Sequence, residues 1–442
     1  MPKSIKSISA VLVSLGLSFS VFADDSQYGM SLHDELTTAA NGAITSVPQA
    51  NVDNTWDVAK KQVTEVAEGV YRIAGWGLGN VIAIEGPDGW LIIDSGDDVA
   101  QATEQRAALE KKLGRQIQVT DVAYTHSHYV SGTTVWMGED THVYAHEDML
   151  AHYMADNGIS ALSGNFTTRA LMQFGMLHPA EGPDAFPSKL GFGADKLTGE
   201  KGFVPPTKTF KDGEIETHQM AGLTVEVLPS KTDVLDSVAY YLPEKKLLVG
   251  NALNGGGGIF NLYTLRGDIY RDPMRLVAAA DLALSRDAEV MVDIHGQAQV
   301  GKEKVRASIE AFRDGMQLIY DQAYRGISLG KDAQEIAEWI YMPEEIRANN
   351  ETYGQVENHA KQVYSARIGW MGWDPYAINP LPKAEQASRI IEAMGDTRGA
   401  GGVLRRYMDA ARLREVVRKL QGPDDRPRCE RALLRVRAQE DS

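Results

Sequence analysis

The chain is poor in cysteine, which could cross-link it, and in long apolar segments, which could hold it in a membrane. It contains a single cysteine, Cys429, in 442 residues, which excludes an intrachain disulfide. No segment after Ala23 is long and apolar enough to span a bilayer, so we expect no stable membrane insertion. Basic residues are the minority, because 45 Lys and Arg face 60 Asp and Glu, a formal net charge of -15. Such a surface repels nucleic acid, which is therefore not an expected partner.

The first 23 residues have the pattern of a secretory signal peptide. Lys3 and Lys6 precede an apolar run, Ile8–Val21, and a small residue follows at the expected cleavage point, Ala23. A membrane anchor, the alternative interpretation, needs about 20 continuous apolar residues. We therefore expect residues 1–23 to be removed and the mature protein to be periplasmic.

Strands alternate with helices over most of the chain. The segment "GVYRIAGWGLGNVIAIEGPDGWLIIDSG" predicts three strands joined by a loop and a tight turn. Asp94 and Ser95 are the predicted N-cap of a helix over 97–113 that ends at Gly114. Further strands are predicted at "DVAYTHSH", "LTVEVLP", "SVAYYLPE", "KLLVGN" and "EVMVDIHG". Because the strands fall in two blocks around a loop-rich centre, we expect two sheets covered by helices, an α/β fold.

Two histidines at the end of one predicted strand are the first chemical signal. His126 and His128 are two positions apart, so in an extended strand their side chains point to the same side. Functional sites of α/β proteins gather in the loops after strands, and two imidazoles aimed at one point suit Zn²⁺. The alternative is a pair of hydrogen-bonded histidines without a metal ion.

Several long segments resemble the alkylsulfatases of the metallo-β-lactamase superfamily. "YTHSHYVSG" resembles the H-x-H-x-D-H segment of the family, and "SGNFTTRALMQFG", "FNLYTLRGDIYRD" and "YGQVENHAKQVYSARIGWMGWDP" resemble further signatures. The resemblance covers about 65–396. It implies a metallo-β-lactamase αββα sandwich over 24–312, followed by an α-helical dimerisation domain over 313–396 and therefore a homodimer. Residues 397–442 are rich in arginine and form a divergent basic tail.

The resemblance also implies a first metal site that this chain retains in altered form. The family uses the two histidines of H-x-H and a glutamate from a T-E-x-P-x-E-M segment. Here these positions are His126, His128 and, in "KTDVLDS", Asp233. Aspartate is one methylene shorter than glutamate but is still a metal ligand. Three protein ligands and a water describe a catalytic zinc centre.

The second metal site of the family has lost most of its ligands. Its late histidine is retained as His295, but Val130 and Ser131 stand where the family has the aspartate and histidine of H-x-H-x-D-H. A bridging glutamate is expected near 250–254, yet no carboxylate occurs between Glu244 and Asp268. We therefore expect one zinc ion or none, where the family has two.

Arginines are the expected substrate-binding groups. A sulfate needs planar bidentate donors, which guanidinium groups supply. The resemblance aligns Arg266, in "YTLRG", with the sulfate-facing arginine of the family and places Asn165 and Arg169 in the matching loop. Arg271, next to Asp272, is expected to form a structural ion pair with it.

Three functions remain open from the sequence. The first is a hydrolase of an alkyl sulfate or related ester that holds at most one metal ion through His126, His128 and Asp233. The second is a periplasmic protein that binds an anionic amphiphile around Arg266 without catalysis. The third is a dimeric scaffold whose former site is vestigial.

Overall fold

The computed structural model describes residues 36–157, 163–188, 199–253, 258, 261–267, 269–343, 346, 353–371 and 378–393. The predicted signal peptide at 1–23 and the basic tail at 397–442 lie outside these residues. A short antiparallel pair, β1 and β2, precedes the main sheets. Its strands are β1 Leu36–Thr38 and β2 Ile44–Ser46.

The first large sheet has seven strands in chain order, from β3 to β9. Its first four strands are antiparallel, and β6 to β9 run parallel to one another. Residues alternate between the two faces, so both Ile82 and Val81 of one strand are buried on opposite sides. The strands are β3 Gln62–Ala67, β4 Val70–Ala74, β5 Val81–Gly86, β6 Gly89–Ile93, β7 Val119–Ala123, β8 His142–His146 and β9 Lys208–Phe210.

The second large sheet has six strands, again in chain order, from β10 to β15. All neighbours are antiparallel except β13 and β14, which are parallel. The strands are β10 Glu216–Met220, β11 Leu223–Pro229, β12 Val238–Leu242, β13 Leu247–Gly250, β14 Val290–Asp293 and β15 Gln299–Val300.

Helices lie between and after the strands along the chain. In chain order they are α1 Val47–Ala50, α2 Val52–Thr55, α3 Val99–Leu113, α4 Thr133–Trp136, α5 Met149–Asn157, α6 Ser163–Gln173, α7 Pro273–Leu284, α8 Lys302–Ser328, α9 Ala333–Trp339, α10 Val356–Ile368 and α11 Lys383–Ala393. Helix α8 continues through residue 312, so the predicted boundary between the two domains falls inside one helix. By its contacts the chain divides into units 1–369 and 370–442.

Three apolar layers confirm the predicted αββα sandwich with a helical segment after it. One layer lies between the sheets and joins Ile82 and Leu91 to Val225 and Tyr240. A second packs the outer face of the seven-stranded sheet against α3, α4 and α5, and a third packs the outer face of the six-stranded sheet against α7 to α10. Full burial of each large aliphatic side chain contributes about 1.5–3 kcal/mol, so these layers dominate the stability.

The predicted helix after β6 is present, but its N-cap is a different residue. Helix α3 ends at Gly114, which adopts a left-handed φ of 69°, as predicted. Its N-cap is Asp98, whose side chain accepts a hydrogen bond from the backbone N–H of Gln101 at 2.8 Å. Asp94 and Ser95 were the predicted cap, and this was wrong because the carboxyl group of Asp94 instead accepts from Thr125, just after the next strand.

The described residues contain no helix with the length and apolar character that a membrane-spanning segment needs.

Candidate metal and anion site

The site lies where strands of both sheets end. Strand β7 ends at Ala123, and the chain then passes through Thr125 to the histidine pair. The carbonyl of Thr125 accepts a hydrogen bond from Val238 N–H at 2.8 Å, which joins this loop to the start of β12 in the other sheet. The loop before β12 carries Asp233, so one backbone hydrogen bond brings both halves of the site together.

Three predicted ligands converge. The Oδ2 atom of Asp233 lies 2.9 Å from Nδ1 of His128 and 3.2 Å from Nε2 of His126. One donor atom from each of these residues lies within 4.8 Å of the other two. His126 and Asp233 are buried and His128 is half-buried, so water has little access to the group. Two nitrogens and one carboxylate oxygen are a donor set that zinc accepts.

The carboxylate of Asp233 is held in its ionised form. Burial alone would raise its pKa, but the charge of Arg271 and the two nearby imidazoles lower the pKa well below its usual range. Arg271 forms an ion pair with Oδ1 of Asp233 and donates from Nε to the backbone oxygen of Asp233 at 2.7 Å. The expected pair with Asp272 was wrong, because Asp272 instead accepts from Met274 N–H as the N-cap of α7.

The imidazole of His126 presents an unpartnered nitrogen to the site. Its Nδ1 lies 2.9 Å from the Thr125 hydroxyl, which also bonds to Asp94 at 2.7 Å. The buried Nε2 has no hydrogen-bond partner, although the Asp233 carboxylate is near. Burial lowers the pKa of His126, so the ring is neutral near pH 7. When the hydroxyl of Thr125 donates to Asp94, Nδ1–H donates to Thr125 and a lone pair on Nε2 faces Asp233. A cation between these two atoms would satisfy both, so the residues fit a metal ion.

Residues of the predicted second metal site lie apart from this group. The Nδ1–H of His295 donates to the backbone oxygen of Leu78 at 3.0 Å, and His295 is not among the three converging residues. Val130 is fully buried in the apolar layer under the helices, and the Ser131 hydroxyl lies 3.2 Å from that of Tyr153. Among the described residues, neither position supplies a metal ligand.

The loop after β13, where the family has a bridging glutamate, is fixed by another carboxylate. Asp293 accepts hydrogen bonds from the N–H groups of Ala252 and Leu253 at 2.9 and 2.7 Å. Residues 254–257 of the following glycine run lie outside the described residues.

Tyr129 fills the space between the histidine pair and His295. Its ring centroid lies 5.6 Å from that of His126, 5.9 Å from His128 and 5.4 Å from His295, each in an edge-on arrangement. The residue has a left-handed φ of 57°, which is uncommon for a side chain of this size. A Cβ on Gly79 would lie 2.6 Å from the Tyr129 ring, so glycine is required there. The sequence reasoning missed this residue, whose only signal was its position inside the histidine motif.

The predicted substrate-binding residues share one loop region. The backbone N–H of Arg266 donates to the Gln173 side chain at 2.9 Å, and Nε of Arg169 donates to the backbone oxygen of Leu265 at 2.9 Å. The Arg266 guanidinium is close enough to Tyr129 and Tyr353 to lower the pKa of both phenols, although burial raises each pKa overall. Arg169 is exposed and holds the loop. The side chain of Asn165, in α6, lies outside the described residues.

A cavity of about 520 Å³ lies beside the site. Tyr353 lines it, and the ring of Tyr353 packs at 5.1 Å on Trp56, which packs at 5.2 Å on His295. Asn261 also lines it, and the backbone oxygen of Asn261 accepts from Arg271 at 2.8 Å. Much of the remaining wall is apolar, with Val52, Met172, Phe174, Phe186, Pro187 and Leu265.

Comparison with known sequence families identifies both parts of the chain. Residues 74–251 match the metallo-beta-lactamase superfamily, and residues 332–421 match the alkyl sulfatase dimerisation family. The αββα fold and the histidine-rich loop define a protein of the metallo-β-lactamase superfamily. Within that superfamily, the second matched segment and the curated relatives make the chain similar to the alkylsulfatases.

Curated alkylsulfatases are similar in sequence to this chain. A linear primary-alkylsulfatase from Pseudomonas sp. is 31% identical over 324 residues, covering 71% of this chain and 60% of the relative. The alkyl/aryl-sulfatase BDS1 from Saccharomyces cerevisiae is 27% identical and covers 78% of this chain and 54% of its own length. This chain thus spans just over half the length of these relatives.

The fold is similar to that of the stereoselective inverting sec-alkylsulfatase Pisa1 from Pseudomonas sp.. The TM-score is 0.71 at 22% identity, over 90% of this chain and 64% of that one. At this identity the likeness supports the fold alone.

Proposed function

We propose that the protein hydrolyses an alkyl sulfate or a related ester at a single zinc ion held by His126, His128 and Asp233. The observation that carries this proposal is the convergence of three ligand atoms on one buried point, within 4.8 Å of one another. The unpartnered Nε2 of His126 supports it, because a buried lone pair without a partner costs about 1–3 kcal/mol.

The residues around the three metal ligands have distinct roles in the proposed reaction. When bound, the ion would activate a water molecule and offset negative charge on the sulfate. Thr125 and Asp94 orient the imidazole of His126 from the side opposite the ion, as outer residues of metal sites do. Arg271 holds Asp233 in place through two contacts, one with its carboxylate and one with its backbone oxygen.

The charged and apolar ends of the substrate have separate binding regions. Arg266 supplies the positive charge for a sulfate, in the loop that Gln173 and Arg169 hold. The adjoining cavity of about 520 Å³ supplies an apolar wall for the alkyl chain. Its lining also includes Lys361, Asn358 and Gln355, which would contact polar groups of an ester.

The proposal also covers the location of the protein in the periplasm and its assembly into a homodimer. Residues 1–23 have the pattern of a cleaved signal, so we propose a periplasmic location. The matched dimerisation segment, 332–421, supports a homodimer. Tyr364 and Tyr353 pack within their own unit, whereas Trp370 is 73% exposed.

Zinc content and hydrolysis test the proposal together. We expect purified wild type to hold about one zinc ion per chain and to release sulfate from decyl sulfate. His126→Ala and His128→Ala should lose both the ion and the activity. His142→Ala is the matched control, because His142 is an exposed histidine of the same sheet and should change neither. Wild type without zinc and without sulfate release would reject the proposal.

The second candidate, binding of an amphiphile without catalysis, is favoured by one contact. Arg271 already compensates the charge of Asp233, so the carboxylate is satisfied electrostatically without an ion. This candidate predicts binding of a long-chain alkyl sulfate by protein that contains no zinc. Calorimetric titration in the presence of a chelator distinguishes it from the hydrolase.

A further inference from the structure

The ring of Tyr129 occupies the part of the site from which metal ligands have been lost. It lies between the histidine pair and His295, with centroid distances of 5.4 to 5.9 Å. The backbone of Gly79 packs closely against the ring, because a Cβ on Gly79 would lie 2.6 Å from it. The backbone oxygen of Tyr129 is also fixed, since it accepts from Ser95 N–H at 2.8 Å. The side chain is therefore held in one orientation by contacts other than its hydroxyl.

The hydroxyl of Tyr129 is available for a ligand. Among the described residues, it has no hydrogen-bond partner, and the side chain is only half-buried. A phenol hydroxyl is a hydrogen-bond donor at neutral pH.

Two other donors surround the same space. Arg266 and Tyr353 are joined by the side chain of Gln173, whose Oε1 accepts from the Arg266 backbone N–H at 2.9 Å. The Tyr353 hydroxyl accepts from Nε2 of Gln173 at 2.5 Å, so its own hydrogen is free to point elsewhere. Two phenols and a guanidinium next to a metal-ligand group form an anion-binding arrangement built from neutral donors and one positive charge.

We propose that the Tyr129 hydroxyl donates a hydrogen bond to the sulfate group of the substrate, on the side of the site between the histidine pair and His295. This inference rests on the proposed function, and it assigns to a side chain part of the charge stabilisation that a second metal ion would otherwise supply. With ligands for one ion only, a bound sulfate would need further hydrogen-bond donors from side chains. A phenol on that side provides a directional donor for them and excludes water from the space between His128 and His295.

The test uses Tyr129→Phe, which keeps the ring and removes only the hydroxyl. Tyr341→Phe is the matched control, because Tyr341 is an exposed tyrosine outside the site. The first measurement is the affinity for decane sulfonate, which cannot be hydrolysed, with zinc-loaded full-length protein. We expect Tyr129→Phe to bind the sulfonate about tenfold more weakly than wild type, and Tyr341→Phe to match wild type.

Zinc content separates a donor from a structural residue. Tyr129→Phe should retain the zinc content of wild type, and loss of zinc together with affinity would overturn the inference. Unchanged sulfonate affinity in Tyr129→Phe, or no sulfonate binding by wild type, would also overturn it. Wild type that binds the sulfonate but hydrolyses no decyl sulfate, with weaker binding in Tyr129→Phe, would reject the proposed function and support the role of Tyr129.

Discussion

Arg271 and Asp233 form a buried ion pair in which the carboxylate serves two partners at once. Oδ1 faces the guanidinium, and Oδ2 faces His126 and His128 at 3.2 and 2.9 Å. The arginine therefore orients the third metal ligand and also competes with an ion for its charge. Because Arg271 pairs with Asp233, the Asp233 carboxylate is ordered before a metal ion binds.

Replacing Arg271 should destabilise the metal-free protein and increase the effect of zinc. Arg271→Gln leaves the Asp233 charge buried without its cation, a change that costs about 3–5 kcal/mol. Zinc can replace the lost charge, so added zinc should raise the melting temperature of Arg271→Gln more than that of wild type. Thermal denaturation with and without zinc measures both quantities. Equal zinc stabilisation in the two proteins would contradict this expectation.

Asp94 should make the metal-free protein less stable as pH rises. Burial raises the pKa of Asp94 to about 8, against hydrogen bonds from Thr125 that lower it. A carboxyl whose pKa is raised by folding stabilises the protein below its unfolded pKa of about 3.9, and this stabilisation is lost as pH rises through about 8. Between pH 5 and 8, chemical denaturation should show a decline of a few kcal/mol in wild type that Asp94→Asn lacks.

The same substitution should weaken zinc binding through Thr125. The amide of Asp94→Asn donates to the Thr125 hydroxyl, which must then donate to Nδ1 of His126. Nε2 of His126 would carry the ring proton and could not bind the ion. We expect zinc affinity to fall at least about tenfold, as for other outer residues of metal sites. Competition with a zinc indicator at pH 9, where the Asp94 carboxyl is ionised, measures it, and an unchanged affinity would show that Thr125 does not set the tautomer.

His295 should not be needed for zinc binding. Its Nδ1–H is bonded to Leu78, and it lies outside the converging group. His295→Ala should therefore keep the zinc content of wild type, in contrast to His128→Ala. Elemental analysis of the two variants, prepared in parallel, gives the comparison. Loss of zinc in His295→Ala would place this residue among the ligands.

The cavity should discriminate by chain length. Met172 lines it, whereas Leu177, which follows the same helix, does not. Both are exposed apolar residues, so Leu177→Ser is a matched control for Met172→Ser. Met172→Ser should weaken dodecane sulfonate binding by about threefold and hexane sulfonate binding by less, because the longer chain buries more apolar area. Equal losses for both chain lengths would place the alkyl chain elsewhere.

Local patterns predicted much of the fold and part of the site. The alternating apolar residues around Ile82 and Ile92 predicted buried strands, and Gly114 marked the helix end, because each signal depends on neighbours within a few residues. The spacing of His126 and His128 predicted that they share a face. The likeness of "KTDVLDS" to a family motif added Asp233, which the structure brings to them.

By itself, the sequence determined the order of strands and helices and the histidine pair, and its resemblance to the family implied the loss of second-site ligands at Val130 and Ser131. Only the tertiary structure decided that Arg271 pairs with Asp233 and that Tyr129 fills the space before His295. The physical reason is that these partners are distant along the chain, and both depend on where two separate sheets bring their loops. Charge pairing and ring packing act over a few ångströms in space, and no local pattern of residues encodes that distance.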